Sequence, residues 1–531
     1  MSLSPAATGA KPGLNPWLIA PLVALAAFME VLDISIANVS LQHIAGDLSA
    51  GQDESTWILT SYLVTNAIIL PVSGWLSSQM GRTRFFVLCI IGFSISSLAC
   101  GLAPTLGSLI FFRAVQGLTG GGLQPGAQAI LTDSFPPHQR GMAFALYGMA
   151  VVFAPAIGPT LGGWITDEFS WRWVFLLNVP IGIALSIVVS ALLEDPPAYT
   201  AARLEKRRQG ATIDYVGFSL LAAGLGFLQV VLDKGQEDDW FASPFIFWLS
   251  VFSALSLIAF VIWELGEKHP IVELHLLFDR NFGMANLLMF LLGFVLLGST
   301  VLLPALVQRL FGYSATEAGL VITPGGFSII LVMPIVGRLV SSVDSRLIIA
   351  LGLAVCSLAL FHMGGFTLQT DYQTFVWARL YQALGLSLLF IPINTAAFRF
   401  IPPSMSSDAS ALINVSRNLG GSFGISLVIT YLARFEQRHQ TVLVGHVTPF
   451  DPAYRHTMDS MTGLFQSQGQ TLAEASDKAL ATLYGIVQSQ ALLQAFLDDF
   501  RLLGTIFLLL IPFVFIMKGG IPGRHPSPAA H

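Results

Sequence analysis

Residues 28–33 read FMEVLD, inside the stretch 17–41, WLIAPLVALAAFMEVLDISIANVSL. Apart from Glu30 and Asp33 this stretch is apolar or small, and it is long enough to cross a bilayer as a helix, which takes about 20 residues. A charge at that depth costs roughly 2.5–3.5 kcal/mol on insertion scales, so such side chains face a bundle interior or a wet cavity. A spacing of three puts both carboxylates on one side of the helix. Two acids so placed are candidates for taking up and releasing a proton.

The whole chain repeats this apolar pattern. Of its 531 residues 54% are hydrophobic and 11% charged, against about 25% charged in a soluble domain. The expected class is an all-α polytopic membrane protein. A net charge of -5, spread along the chain, argues against nucleic acid as a partner. Cys89, Cys100 and Cys356 lie in apolar runs. The first two are eleven residues apart on one expected helix, about 16 Å of rise and too far for a disulfide. No metal-ligand spacing, Walker motif, nucleophile elbow or HExxH occurs, so no catalytic residue, metal or cofactor is expected. Lys11 precedes the first span with no cleavage site after a short apolar core, which reads as an uncleaved start-transfer segment.

Fourteen spans are expected, beginning near Trp17, Thr56, Phe85, Leu109, Met142, Val174, Tyr215, Phe245, Phe282, Ala318, Leu347, Phe375, Ala409 and Leu502. Alternate loops then collect Arg82, Arg84, Arg140, Arg203, Lys206, Arg207, Arg208, Lys268, Arg280 and Arg346, while the short loops on the other side hold little beyond Arg172, Lys234 and Arg309. That asymmetry places the basic loops, and both termini with Lys11 and Lys518, in the cytoplasm. Residues 1–193 form a first six-helix bundle, 194–213 a basic cytoplasmic linker, 214–264 two inserted spans, and 265–531 a second six-helix bundle. The last unit carries an outer loop, 435–499, whose second half has the apolar spacing of an amphipathic helix.

The two bundles echo each other. Arg113, Gln116 and the pair Pro136-Pro137 recur as Arg379, Gln382 and Pro402-Pro403 at an offset of 266, and Gly74 recurs as Gly337 at 263. Duplicated halves around a midplane site are a common plan of secondary transporters.

Span 4 bears a polar stripe of Arg113, Gln116, Gln124 and Gln128. At 1.5 Å per residue Glu30 and Asp33 lie about 20 and 24 Å along span 1, and Arg113 about 10 Å into span 4 from the other side. Acids and arginine share a layer. Two readings fit: a proton site tuned by Arg113, or a salt bridge holding spans 1 and 4 together. Span 9 has no acid opposite Arg379, so proton coupling is assigned to the first bundle. Arg417 in span 13 either lines a substrate cavity or is bonded into the packing, and His362 reads as structural.

These motifs together resemble the major facilitator superfamily, and within it the fourteen-span drug:proton antiporters of the EmrB/QacA type. The resemblance rests on FMEVLDISIANVSL, GWLSSQMGRTR (74–84), FFRAVQGLTGGG (111–122), APAIGPTLGGW (154–164) and WRWVFLLNVPIG (171–182), and covers nearly the whole chain. The outer loop and DKGQEDDW (233–240) lie on the EmrB side of that family. The resemblance implies the major facilitator fold and proton-driven efflux of hydrophobic compounds from the inner membrane. Asp33, Glu30 and Arg113 would couple the proton, and Gln116, Gln124, Gln128 and Arg417 would line the cavity. Gly74, Gly81 and Arg82, with Gly158, Pro159, Gly162 and Gly163, would gate and seal. It also implies a periplasmic EmrA-like adaptor and a TolC-type outer-membrane channel. The family's loop motif usually has an aspartate where this chain has Ser78, so that residue's gating contact does not carry over. An exporter of one endogenous metabolite or siderophore is the alternative, and a membrane enzyme a distant third.

Overall fold

The computed structural model describes residues 15–195, 200, 214–267 and 270–519. Lys11, most of the linker 194–213 with its basic cluster, and Lys268 lie outside them. Seventeen α-helices fill the described residues: α1 (Pro16–Asp47), α2 (Gln52–Met80), α3 (Arg82–Gly101), α4 (Leu106–Gly120), α5 (Leu123–Ser134), α6 (Arg140–Glu168), α7 (Arg172–Leu176), α8 (Asn178–Leu192), α9 (Tyr215–Lys234), α10 (Pro244–Gly266), α11 (Arg280–Phe311), α12 (Ala315–Leu339), α13 (Ser345–Met363), α14 (Tyr372–Ala397), α15 (Ser406–His446), α16 (Pro452–Ser467) and α17 (Leu472–Val514). Helices suit this composition because each satisfies its own backbone groups where no water is available. Polar side chains close their exposed ends: Asn15, Asp279, Asp344 and Asp451 each accept a hydrogen bond from the first turn of α1, α11, α13 and α16.

Eleven helical segments among the described residues are long and apolar enough to span a membrane, ten of them single helices and one, Arg172–Leu192, made of α7 and α8 together. The three further segments expected as spans are helical but built differently. Span 4 is divided into α4 and α5, 15 and 12 residues long, each shorter than the roughly 20 needed. Span 13 is part of the 41-residue α15, which carries Asp408, Asn414 and Arg417. Span 14 is the end of the 43-residue α17, which runs unbroken from the outer segment through Asp498, Asp499 and Arg501.

In the first bundle α1 lies along α6, α2 along α4, and α3 against α4 and α8. In the second, α11 lies along α15, α12 along α14, and α13 against α14 and α17. The bundles meet where α6 packs on α12 and α2 on α15, pairings that the 266-residue offset exchanges. The inserted α9 and α10 pair with each other, and α9 lies on α2 and α15. α10 is mostly exposed, with Phe247, Trp248, Leu255, Ile258 and Ile262 on its surface, as a helix facing lipid requires.

The division of span 4 has a local cause. Gly120, Gly121 and Gly122 stand where α14 has Leu386, Ser387 and Leu388, and α14 is unbroken. A Cβ on Gly121 would lie 2.2 Å from Ile69 Cγ2, and one on Gly122 would lie 2.6 Å from Cys89 Sγ. The glycines let span 4 sink between α2 and α3 at the cost of helix continuity.

Candidate functional site

Asp33 of α1 and Arg113 of α4 are fully buried and joined by a 2.6 Å salt bridge between Oδ2 and Nη1. Gln116, one turn after Arg113, donates Nε2 to Asp33 Oδ1 at 3.1 Å and accepts from Arg113 Nη1 at 2.8 Å. Asn178 at the start of α8 donates Nδ2 to the same Oδ1 at 2.7 Å and to Ser97 Oγ at 3.1 Å. Arg113 Nε donates to the Ile58 carbonyl at 3.2 Å, and the guanidinium lies 4.3 Å from the Tyr62 ring centroid and 5.5 Å from that of Phe175. Both carboxylate oxygens are therefore occupied. A buried ion pair repays its desolvation only when such additional hydrogen bonds surround it. The shared layer expected from sequence depth is the layer in which these groups meet.

The second bundle repeats the frame without the carboxylate. Arg379 Nη1 donates to Gln382 Oε1 at 2.6 Å, and Gln382 Nε2 to Ser299 Oγ at 2.8 Å. Ser299 occupies the place of Asp33: each lies 83 residues before its glutamine.

Glu30 does not join the Asp33 pair. Its Oε1 accepts from Asn66 Nδ2 of α2 at 3.0 Å, while Oε2 is buried without a hydrogen bond among the described residues. Gln124 of α5 stands beside it, and the Gln124 amide oxygen accepts from Arg417 Nη2 of α15. One turn on, Gln128 Nε2 donates to Asn394 Oδ1 of α14 at 3.1 Å and its Oε1 accepts from Asn414 Nδ2 of α15 at 2.7 Å. The span 4 stripe is thus divided at the glycine break. Arg113 and Gln116 serve Asp33 within the first bundle, while Gln124 and Gln128 reach across to the second. His362 is exposed on α13, edge-on to Phe366.

The glycine motifs mark close approaches. A Cβ on Gly158 would lie 2.2 Å from Ser35 Oγ, and one on Gly162 3.1 Å from Ile36 Cα, so α6 rests directly on α1 beside the acids. Gly163 faces open space and Pro159 lies inside α6. At the α2–α3 turn Gly81 adopts φ 96 between the two helices, a conformation suited to glycine. A Cβ on Gly74 would lie 2.9 Å from Asp408 Cα. Arg82 pairs with Asp133 and donates Nη2 to Ser406 Oγ at 3.1 Å, which ties the start of α3, the end of α5 and the start of α15 together. Ser78 bonds only its own helix, through the Trp75 carbonyl at 2.8 Å.

Asn66, Asn178, Asp133, Asn394 and Asn414 complete these networks and were not singled out in the sequence. The available signal was a lone amide or acid in an otherwise apolar run, which lipid does not tolerate without a partner. Among the described residues no group of three or more His, Cys, Asp or Glu converges as metal ligands.

Comparison with known proteins places this arrangement. The Major Facilitator Superfamily model matches residues 23–425. The chain is 36% identical over 514 residues to Multidrug export protein EmrB of Escherichia coli (strain K12), covering 95% of this chain and 96% of the relative. It is also 36% identical to Fatty acid resistance protein FarB of Neisseria gonorrhoeae, covering 96% of each. Among solved structures, the proton:xylose symporter XylE superposes with a TM-score of 0.60 at 13% identity, over 94% of this chain and 95% of that one, a likeness of fold alone.

Proposed function

The chain belongs to the Major Facilitator Superfamily, and from that premise we propose that it exports hydrophobic, chemically varied compounds across the bacterial inner membrane in exchange for protons. The reading takes its substrate class from relatives named for multidrug export and fatty acid resistance. Its coupling rests on one observation: the fully buried Asp33–Arg113 pair inside the first bundle, with a copy of the same frame in the second that lacks the carboxylate.

Asp33 carries the proton, Glu30 assists, and Arg113 sets the balance between the two forms. Protonation of Asp33 removes the charge that holds Nη1 of Arg113. The guanidinium keeps Gln116 Oε1, the Ile58 carbonyl and the Tyr62 ring, so it is never left bare. Gln124, Gln128 and Arg417 border the cavity between the bundles. Gly74, Gly81 and Arg82 close its inner end, and Gly158, Pro159, Gly162 and Gly163 seal the α1–α6 contact. One proton moving through 100 mV supplies about 2.3 kcal/mol, enough for a substrate gradient of roughly fifty-fold. Fourteen spans, with both termini in the cytoplasm, leave 435–499 on the periplasmic side. There it meets a membrane-fusion adaptor of the EmrA kind and, through it, a TolC-type channel.

Asp33→Asn keeps shape and hydrogen bonding but removes the titrating group. In proteoliposomes it is expected to bind substrate and insert normally while losing transport driven by a pH gradient. Full coupling in Asp33→Asn would overturn the assignment. If the pair is only structural, neutralising Arg113 as well restores transport. A panel of unrelated dyes separates a multidrug exporter from one that handles a single metabolite or siderophore.

A further inference from the structure

Glu30 and Arg417 belong to opposite bundles, and each has one buried polar atom without a hydrogen bond among the described residues: Oε2 of the acid and Nη1 of the guanidinium. They are 1% and 7% exposed. Gln124 lies between them, beside Glu30 and accepting from Nη2 of Arg417. An unmet buried donor or acceptor costs about 1–3 kcal/mol, and more when charged. Contact between Oε2 and Nη1 would satisfy both at once. Arg417 has no ion-pair partner among the described residues, whereas Arg113 already has Asp33 as its ion-pair partner, with Nη2 left without a hydrogen bond.

The surroundings of Glu30 leave few other candidates for a counter-charge. The groups facing it are Asp33 on its own helix, Tyr62 from α2, Cys89 from α3, Tyr147 from α6 and Arg417 from α15, while Arg113 of α4 is committed to Asp33. The phenols and the thiol are uncharged donors. Arg417 is the cation that Glu30 can gain.

We propose that Arg417 is the counter-ion of Glu30 across the bundle interface, with Gln124 as the group that holds it when the acid is protonated. When Glu30 is ionised, Nη1 of Arg417 reaches Oε2 while Nη2 stays on Gln124, and α15 is drawn toward α1. When Glu30 takes a proton on Oε2, that contact is lost and the guanidinium is held by Gln124 alone. No other bond changes, and the proton leaves by the same oxygen. The two acids three residues apart thus answer to different arginines. A proton on Asp33 is registered inside the first bundle, and a proton on Glu30 is registered by the second. Arg417 is a positioning residue for coupling, an inference that rests on the proton-driven reading above.

The test is an infrared titration of the full-length protein in liposomes, following the carboxyl stretch, with Glu30→Gln identifying the Glu30 contribution and Asp33→Asn that of Asp33. Arg417→Gln should move the Glu30 midpoint to higher pH by about one unit, because an opposite charge has been withdrawn. Arg417→Lys should leave it near the wild-type position. Gln124→Ala, which removes the amide beside Glu30 and the anchor that holds Arg417 there, should move it in the same direction as Arg417→Gln. The Asp33 midpoint should stay in place throughout. An unmoved Glu30 in both Arg417→Gln and Gln124→Ala, or an equal displacement of Asp33, would overturn the pair and leave the export reading standing. Wild-type protein that shows these shifts but moves no substrate under a pH gradient would remove the export reading and leave the pair.

Discussion

Gln128 and Asn394 are 266 residues apart, the offset of the internal repeat, and they are hydrogen-bonded to each other at 3.1 Å. Equivalent positions of the two halves thus touch on the axis that relates them. Asn414 adds a second bond to Gln128 at 2.7 Å, so three amides from α5, α14 and α15 form one seam between the bundles. Asn394 and Asn414 also donate to their own helices, through the Phe390 and Ser410 carbonyls at 2.8 Å each.

That second set of bonds makes the seam separable. Gln128→Ala is expected to lower stability by about 1–3 kcal/mol, since two bonds are lost and Asn394 Oδ1 loses its donor, while both asparagine amides keep a bond to their own helices. A thermal melt measures it. The same variant should leave the pH dependence of transport unchanged, because no titrating group touches the seam. A displaced pH profile would contradict the separation drawn here between the seam and the Asp33 site.

The two buried arginines at equivalent places make a sharper comparison. Arg113 faces a carboxylate, while Arg379 faces Gln382 and Thr300. Arg379→Gln should therefore keep coupled transport and its pH profile, at some expense of stability, and Arg113→Gln should abolish coupling. Proteoliposome transport measured across pH separates them. Equal loss in both would mean that each arginine matters for packing alone.

Much of this was legible from residues. The helical class follows from composition, the duplication from Arg113 and Arg379, and the nearness of Asp33 to Arg113 from counting rise along two spans. What the sequence hid was mostly a matter of direction. A spacing of three put Glu30 and Asp33 on one side of α1, but their side chains end on different partners, Asn66 and Arg113. The stripe of span 4 looked continuous because periodicity carries across the break at Gly121–Gly122, where the small residues that allow close packing also interrupt the helix. Asp133 and Ser406, distant in sequence and polar like many loop residues, gave no sign that Arg82 would gather them at one end.

The inner end offers a steric test. A side chain on Gly74 would strike the Asp408 backbone, 2.9 Å from its Cα, which cannot swing aside as a flexible side chain would. Gly74→Val should hold α2 and α15 apart and shift the population toward an open inner end. Thiol labelling of a cysteine placed at Ser410, buried in this structure, should rise several-fold. Unchanged labelling would mean that the two helices already part without cost.

Asp499 supplies a pH test of stability. It is fully buried, just ahead of the apolar end of α17, and neither carboxylate oxygen has a hydrogen bond among the described residues. Burial, with Asp498 beside it, pushes its carboxyl up to about 8. The folded state therefore keeps a proton that the unfolded chain, with an ordinary carboxyl near 3.9, gives up. Between those values the unfolded state binds fewer protons, so stability falls as pH rises and levels off above about 8. Asp499→Asn removes that loss. It should melt higher than wild type at pH 9, with an advantage that shrinks toward pH 5. An advantage independent of pH would place the cause elsewhere.

The outer segment gives the last prediction. α16 has no buried residue and packs on α17. Around it Phe450, Leu464, Leu472 and Leu480 are exposed. Exposed apolar side chains grouped on these helices suit a protein partner or the bilayer surface. Deleting residues 451–469 removes α16 and the turn after it, and touches none of the bundle contacts that hold α15 to α11 or α17 to α13. The shortened protein should therefore purify with a normal melt and transport in proteoliposomes as before. Recovery of a periplasmic adaptor in pull-downs from intact membranes should fall sharply. Undiminished recovery even after removal of the whole segment 435–499 would exclude docking there.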